Sequence, residues 1–93
     1  MSGGHFNYKQ HVLLDMADDI GSEILTNDSE EKNEWGDSIA NRYSPETIEE
    51  FKKAMIILKM AYVYAQRIDW LLSGDDGEDS FHKRLQAQLK ELA

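Results

Sequence analysis

Residues 44–74 read SPETIEEFKKAMIILKMAYVYAQRIDWLLSG, and this stretch decides the fold. Ser44 can accept a first-turn N–H, Pro45 has no N–H to leave unpaired, and the Glu46 carboxylate suits the positive end of a helix dipole. No Gly or Pro follows until Gly74. The helix opening here therefore spans residues 44–73, about 29 residues or roughly 43 Å at 1.5 Å per residue.

Two apolar stripes run along it. One passes through Phe51, Met55, Leu58, Tyr62 and Ala65, the other through Ala54, Ile57, Ala61, Tyr64, Ile68 and Leu71. A helix apolar over so wide an arc needs neighbours on more than one side. Two short helices from the same chain do not cover it, so a dimer or higher assembly is expected.

Working outward, residues 1–7 read as a flexible lead containing Gly3 and Gly4. Asn7 is placed to cap a first helix over 8–27, with Gln10 reaching back as in a capping box. Leu13, Met16, Ala17, Ile20, Ile24 and Leu25 form its apolar face, while Asp15, Asp18, Asp19 and Glu23 fall on other faces. Residues 28–43, DSEEKNEWGDSIANRY, show no sustained period and are rich in turn formers. They read as a connector that Trp35, Ile39 and Tyr43 pin onto the helices. An acidic turn over 74–79 follows the long helix. A third helix over 80–92, capped by Asp79 or Ser80, carries the stripe Phe81, Leu85, Leu89 and Leu92. The expected fold is all-α and a single domain: an antiparallel helical hairpin with a long central helix, a short C-terminal helix, and oligomeric assembly.

Composition narrows the function classes. The 93 residues carry 18 acidic and 10 basic side chains, a net charge of −8, which repels nucleic-acid phosphate. Direct nucleic-acid binding is disfavoured, although an acidic surface can itself occupy a basic site on another protein. The chain has no cysteine, so disulfide and thiolate chemistry are excluded. Lys59, Gln66, Arg67 and Asp69 interrupt the most apolar run, residues 54–72, and argue against a membrane span. A cytoplasmic location is expected, the host cytoplasm if the chain is phage-encoded.

Catalytic signatures are sparse. Placing Gly77 at the sixth position of a calcium loop puts Leu72 and Gly74 where carboxylates belong, so Gly74-Asp75-Asp76-Gly77-Glu78-Asp79 is not an EF-hand. Asp15 with Asp18 and Asp19, and Glu46 with Glu49 and Glu50, partly match the acids by which helical nucleotide pyrophosphatases hold magnesium. The second acidic motif those enzymes carry on the long helix is missing, since Asp69 is the only acid there after Glu50. His11 and Asp15 lie one turn apart, yet His5 and His82 lack zinc-ligand spacing. No serine sits in a nucleophile elbow and no Gly-rich loop follows a strand. Neither an enzyme nor a bound cofactor or metal is expected.

One end of the molecule concentrates polar groups instead. If the first two helices are antiparallel, residues 3–10 meet Arg67, Asp69, Trp70 and the 74–79 turn. Asp69 continues the stripe of Phe51, Met55, Leu58 and Tyr62, where a charge is costly unless paired with Lys9, His5 or an arginine. The candidate ligand-binding residues are His5, Tyr8, Lys9, Arg67, Asp69, Trp70, Asp75 and Asp76. The aromatics could stack a base while Lys9 and Arg67 meet phosphate.

The opening Met-Ser-Gly-Gly-His-Phe-Asn-Tyr and the later Tyr-Ala-Gln-Arg-Ile-Asp-Trp-Leu-Leu-Ser-Gly-Asp-Asp-Gly-Glu-Asp-Ser-Phe resemble a group of short bacteriophage and prophage proteins. The resemblance implies a setting rather than a mechanism. Small phage accessory proteins often bind and block a host factor, frequently one of a defence system. The leading expectation is accordingly a non-enzymatic, oligomeric accessory protein that inhibits or sequesters a host component. The alternatives are an oligomeric sponge for a small nucleotide-like ligand at a subunit interface and, third, a magnesium-dependent nucleotide hydrolase.

Overall fold

The computed structural model describes residues 4–92, whose secondary structure is three helices: α1, His11–Thr26; α2, Pro45–Leu72; and α3, Glu78–Leu92. Ser44 caps α2 as its sequence requires, with its Oγ accepting the Thr47 N–H at 3.3 Å and Pro45 in the first turn. At the other end Gly74 takes φ +83°. The Gly74 N–H donates to Leu71 O at 3.2 Å and the Asp75 N–H to Trp70 O at 2.9 Å, a Schellman motif that satisfies the last carbonyls.

α1 begins at His11 rather than at Tyr8. Asn7 and Tyr8 hold φ of 53° and 62°, so residues 4–10 fold as consecutive turns, and Asn7 is not a cap. Gln10 stands at the cap position without a side-chain cap bond, because its amide is engaged across the helix pair. Met1–Gly3, the first three residues of the expected seven-residue flexible lead, lie outside the described residues. α3 begins two residues earlier than Ser80: the Phe81 N–H donates to Gly77 O at 2.8 Å, and Glu78 and Asp79 fill the first turn. Ser80 therefore lies inside the helix and its hydroxyl donates to Asp76 Oδ1 at 2.6 Å instead of capping.

Contacts along α1 and α2 run in opposite order. Phe6 and Gln10 meet Asp69, His11 lies against Tyr62 with ring centroids 5.5 Å apart, and Gly21 sits beside Met55. A Cβ at Gly21 would lie 3.1 Å from Met55 Cε, so glycine here permits the close approach. α3 folds back on the C-terminal half of α2, and α1 and α3 do not pack on each other. Each flanking helix leans only on the spine.

The consequence is a thin molecule. Its extents are 53 × 26 × 14 Å, and its radius of gyration of 17.4 Å exceeds the about 12 Å of a compact domain of this length. Among the described residues the buried apolar ones are only Ala17, Val63 and Leu85, while Val12, Met16, Leu25, Ile56, Ile57, Tyr64 and Leu72 remain substantially exposed. No helix among the described residues is long and apolar enough to cross a membrane.

The connector is tied down mainly by polar groups; of the three residues expected to pin it, Tyr43 packs on α2 and Ile39 is half-buried, but Trp35 does not take part. Trp35 is 77 % exposed. Asn27, itself buried, accepts the Tyr43 N–H at 2.9 Å, donates to Tyr43 O at 3.1 Å, and takes the Arg42 N–H on its backbone carbonyl at 2.9 Å. Tyr43 then lays its ring edge against Phe51, centroids 5.7 Å apart. Between these ties Asn33 Oδ1 accepts from the Trp35 and Asp37 N–H groups, and Gly36 at φ +82° turns the chain. Asn27→Ala strands both Tyr43 backbone groups. It is expected to cost about 1–3 kcal/mol, read by thermal unfolding as a Tm lower by about 4–8 °C per kcal/mol.

Candidate functional site

Asp69 is fully buried, 0 % exposed, on the α1 side of α2. Its partners are not cations. Oδ1 accepts the Phe6 backbone N–H at 3.0 Å, and Oδ2 accepts from Gln10 Nε2 at 3.4 Å. The same Gln10 Nε2 donates to Gln66 Oε1 at 2.8 Å, so one amide ties the start of α1 to two residues of α2. The expectation of an ion pair with Lys9, His5 or an arginine is thus corrected: among the described residues Asp69 forms none. Charge-assisted bonds to a backbone N–H and an amide satisfy a carboxylate without a second buried charge. Asp69 thereby fixes the turns of residues 4–10 against the end of α2.

Those turns bound a cavity of about 430 Å³ lined by His5, Phe6, Asn7, Lys9, Gln10, Leu13 and Ala65. The His5 and Phe6 rings meet edge to face at 4.9 Å. Tyr8 turns away, half exposed, with its ring stacked near His11 at 6.2 Å.

Arg67, Trp70 and Asp76 belong to a different cluster. Residues two apart on a helix point about 200° apart, so Arg67 and Asp69 face different neighbours. The Arg67 guanidinium, 4 % exposed, lies 4.0 Å over the Trp70 ring. Its Nη1 is 3.8 Å from Asp76 Oδ2, a loose ion pair, and among the described residues Nε finds no acceptor. Burial lowers the pKa of this guanidinium from its ordinary value, and the Asp76 charge opposes that shift. Asp76 is shared: its side chain is 2 % exposed and also meets Ser80 Oγ at 2.6 Å and Arg84 Nη1 at 3.5 Å. This cluster joins the end of α2 to α3. Asp75 is exposed on the turn between them.

The eight candidate residues therefore divide. His5 and Lys9 line the cavity, Asp69 anchors its rim, and Arg67, Trp70 and Asp76 brace α3. Sequence reasoning missed Gln10 and Gln66, which complete the Asp69 network, and Asn27, which closes the connector. Two of these carried a signal: Gln10 and Asn27 extend the core stripe of Leu13, Ala17, Ile20 and Ile24 at both ends, where a buried polar residue must find a partner.

The paired carboxylates do not converge. Glu49 and Glu50 bind Lys52 and Lys53 at 3.4 and 3.1 Å on exposed α2. Antiparallel packing sets them near the end of α1, while Asp15 lies beyond the Gly21–Met55 contact. Among the described residues no three His, Asp or Glu side chains are grouped to hold a metal ion. Compared with known proteins, the chain matches no family model, no curated protein and no solved structure.

Removing the Asp69 carboxylate strands the Phe6 N–H and frees residues 4–10. Asp69→Ala is expected to cost about 2–3 kcal/mol and to abolish hydrogen-exchange protection at the Phe6 amide. Asp69→Asn keeps an acceptor for Phe6 and is expected to retain part of that protection.

Proposed function

We propose that the protein is a non-enzymatic accessory protein that assembles with copies of itself and binds a host protein, inhibiting or sequestering it, in the bacteriophage setting implied by the sequence resemblance. The observation that carries this reading is the division of a thin molecule into an uncovered apolar side and an acidic edge. Exposed Ile57 and Tyr64 leave α2 with an apolar face that its own chain does not cover. Asp15 and Asp19 are exposed on the side of α1 away from buried Ala17 and Asp18 is exposed on its flank, and none forms an ion pair among the described residues.

An unneutralised row of carboxylates on a chain of net charge −8 attracts a basic surface over several ångströms. Such charges act mainly on encounter rate and selectivity, with apolar contact supplying affinity. The test is affinity capture from host cells expressing the tagged protein. The variant combining Asp15→Lys, Asp18→Lys and Asp19→Lys should recover at least ten times less of the captured host protein than the parent at physiological salt. Undiminished capture would sink the acidic-edge reading.

The cavity supports a second reading, a sponge for a small nucleotide-like ligand. Its about 430 Å³ falls within the range of small-molecule sites, and Lys9 and His5 on its wall suit an anionic group. Arg67 and Trp70 no longer contribute, being turned toward α3. Under this reading, a nucleotide at 1 mM with a Kd near 10 µM raises unfolding free energy by about 2.7 kcal/mol. A thermal-shift panel that includes cyclic nucleotides should show a rise of several degrees for the parent and none for Lys9→Ala. A flat response across the panel at millimolar ligand would remove this reading.

A further inference from the structure

The α2 residues Ala54, Ile57, Ala61, Tyr64, Ile68 and Leu71 recur at alternating steps of three and four, the repeat of a two-helix seam. Neither neighbour takes this seam. α1 occupies the side of α2 bearing Met55, Tyr62 and Asp69, and α3 the side bearing Arg67. Ile57 is 63 % and Tyr64 42 % exposed, and no seam residue is fully buried.

The surface area points the same way. The chain exposes 6715 Å², whereas a compact folded chain of 10.7 kDa exposes about 5,500 Å². The excess of about 1,200 Å² is larger than the about 800 Å² that each partner contributes to a standard stable interface.

We propose that the seam is the interface with a second copy of this chain, the two α2 helices packing antiparallel about a two-fold axis between Ala61 and Tyr64. Side-chain size sets the direction. In the antiparallel register Ala54 faces the partner's Leu71, Ile57 faces the partner's Ile68, and Ala61 faces the partner's Tyr64, so every alanine meets a large residue. A parallel register stacks Ala54 and Ala61 on their own copies and leaves voids, while Tyr64 meets Tyr64. Close packing favours alternation of large and small across facing positions. This inference rests on the reading of the protein as a self-assembling interaction protein, and it names the surface and geometry of that assembly.

The chain has no cysteine, so introduced thiols report alone. Native mass spectrometry and light scattering of the full chain at tens of micromolar are expected to give twice the 10.7 kDa of one chain; a monomer overturns the proposal. Ile57→Glu is expected to give a monomer whose circular dichroism keeps its helical signal. A dimer that persists in Ile57→Glu overturns the proposed interface.

Oxidation of Ala54→Cys and Leu71→Cys variants, each checked for a retained helical circular-dichroism signal, tests the register. In the antiparallel dimer two copies of residue 54 lie roughly 26 Å apart along the axis, beyond the about 7 Å limit between Cα atoms for a disulfide. Each variant alone is therefore expected to stay uncrosslinked, and their equimolar mixture to form the mixed disulfide. Crosslinking of Ala54→Cys alone, or no crosslink in the mixture, overturns the register. Host-protein capture is scored separately: a monomer that still captures its target removes this inference and the self-assembly in the reading above but leaves its host-binding part, and a dimer without capture does the reverse.

Discussion

Everything in this structure depends on one helix being longer than anything available to cover it. The 28 residues of α2 extend roughly 42 Å, while α1 with 16 residues and α3 with 15 reach roughly 24 and 22 Å. The two shorter helices lie on different sides of α2 and do not meet, so there is no central core for three elements to share. Burial is pairwise. This explains why, among the described residues, only Ala17, Val63 and Leu85 are buried apolar residues in a chain with ample hydrophobic content.

Pairwise packing also shifts the task of joining the elements onto polar groups. Each junction has a buried hydrogen-bonded residue: Asn27 between the end of α1 and the connector, Asp69 between residues 4–10 and α2, and Asp76 between α2 and α3. Apolar contact is tolerant of small sliding between helices, whereas an amide or carboxylate with two or three directed bonds is not. The Asp69 network with Gln10 and Gln66 sets the axial register of α1 on α2, and the Asp76 network with Ser80, Arg84 and Arg67 fixes where α3 turns back. A buried charge met by neutral donors at the first and by two guanidinium groups at the second shows the same need solved by different chemistry.

Much of the fold was legible because it rests on local rules. Ser44-Pro45-Glu46 marks the start of α2 and Gly74 its end, since capping geometry is written in adjacent residues. The uncovered second stripe was legible from periodicity. What failed was whatever depended on a partner distant in sequence. Asn7 has the composition of a cap, but the turns held by Asp69, 62 residues on, place it at φ 53°. Trp35 has the size to anchor a loop, yet Asn27 and Asn33 hold the backbone more economically and leave the indole in water. The candidate site was half legible: antiparallel pairing does bring residues 5–10 to the end of α2. Arg67 and Asp69 lie two residues apart in sequence and face different helices, so proximity along the chain conceals that they belong to two separate clusters.

The two hydrogen bonds between Asn27 and Tyr43 bear on how this chain can change. Because that pair closes the connector at its base, with Asn41 donating to Glu23 of α1 beside it, most residues from 30 to 38 are exposed and are felt by the fold chiefly through their closure entropy. Doubling the length of such a loop costs about 0.6 kcal/mol, less than the loss of a single good hydrogen bond at its neck. The segment carrying exposed Trp35 and the acids around it is thus a cassette whose length and sequence bear little on the register of the three helices beneath it.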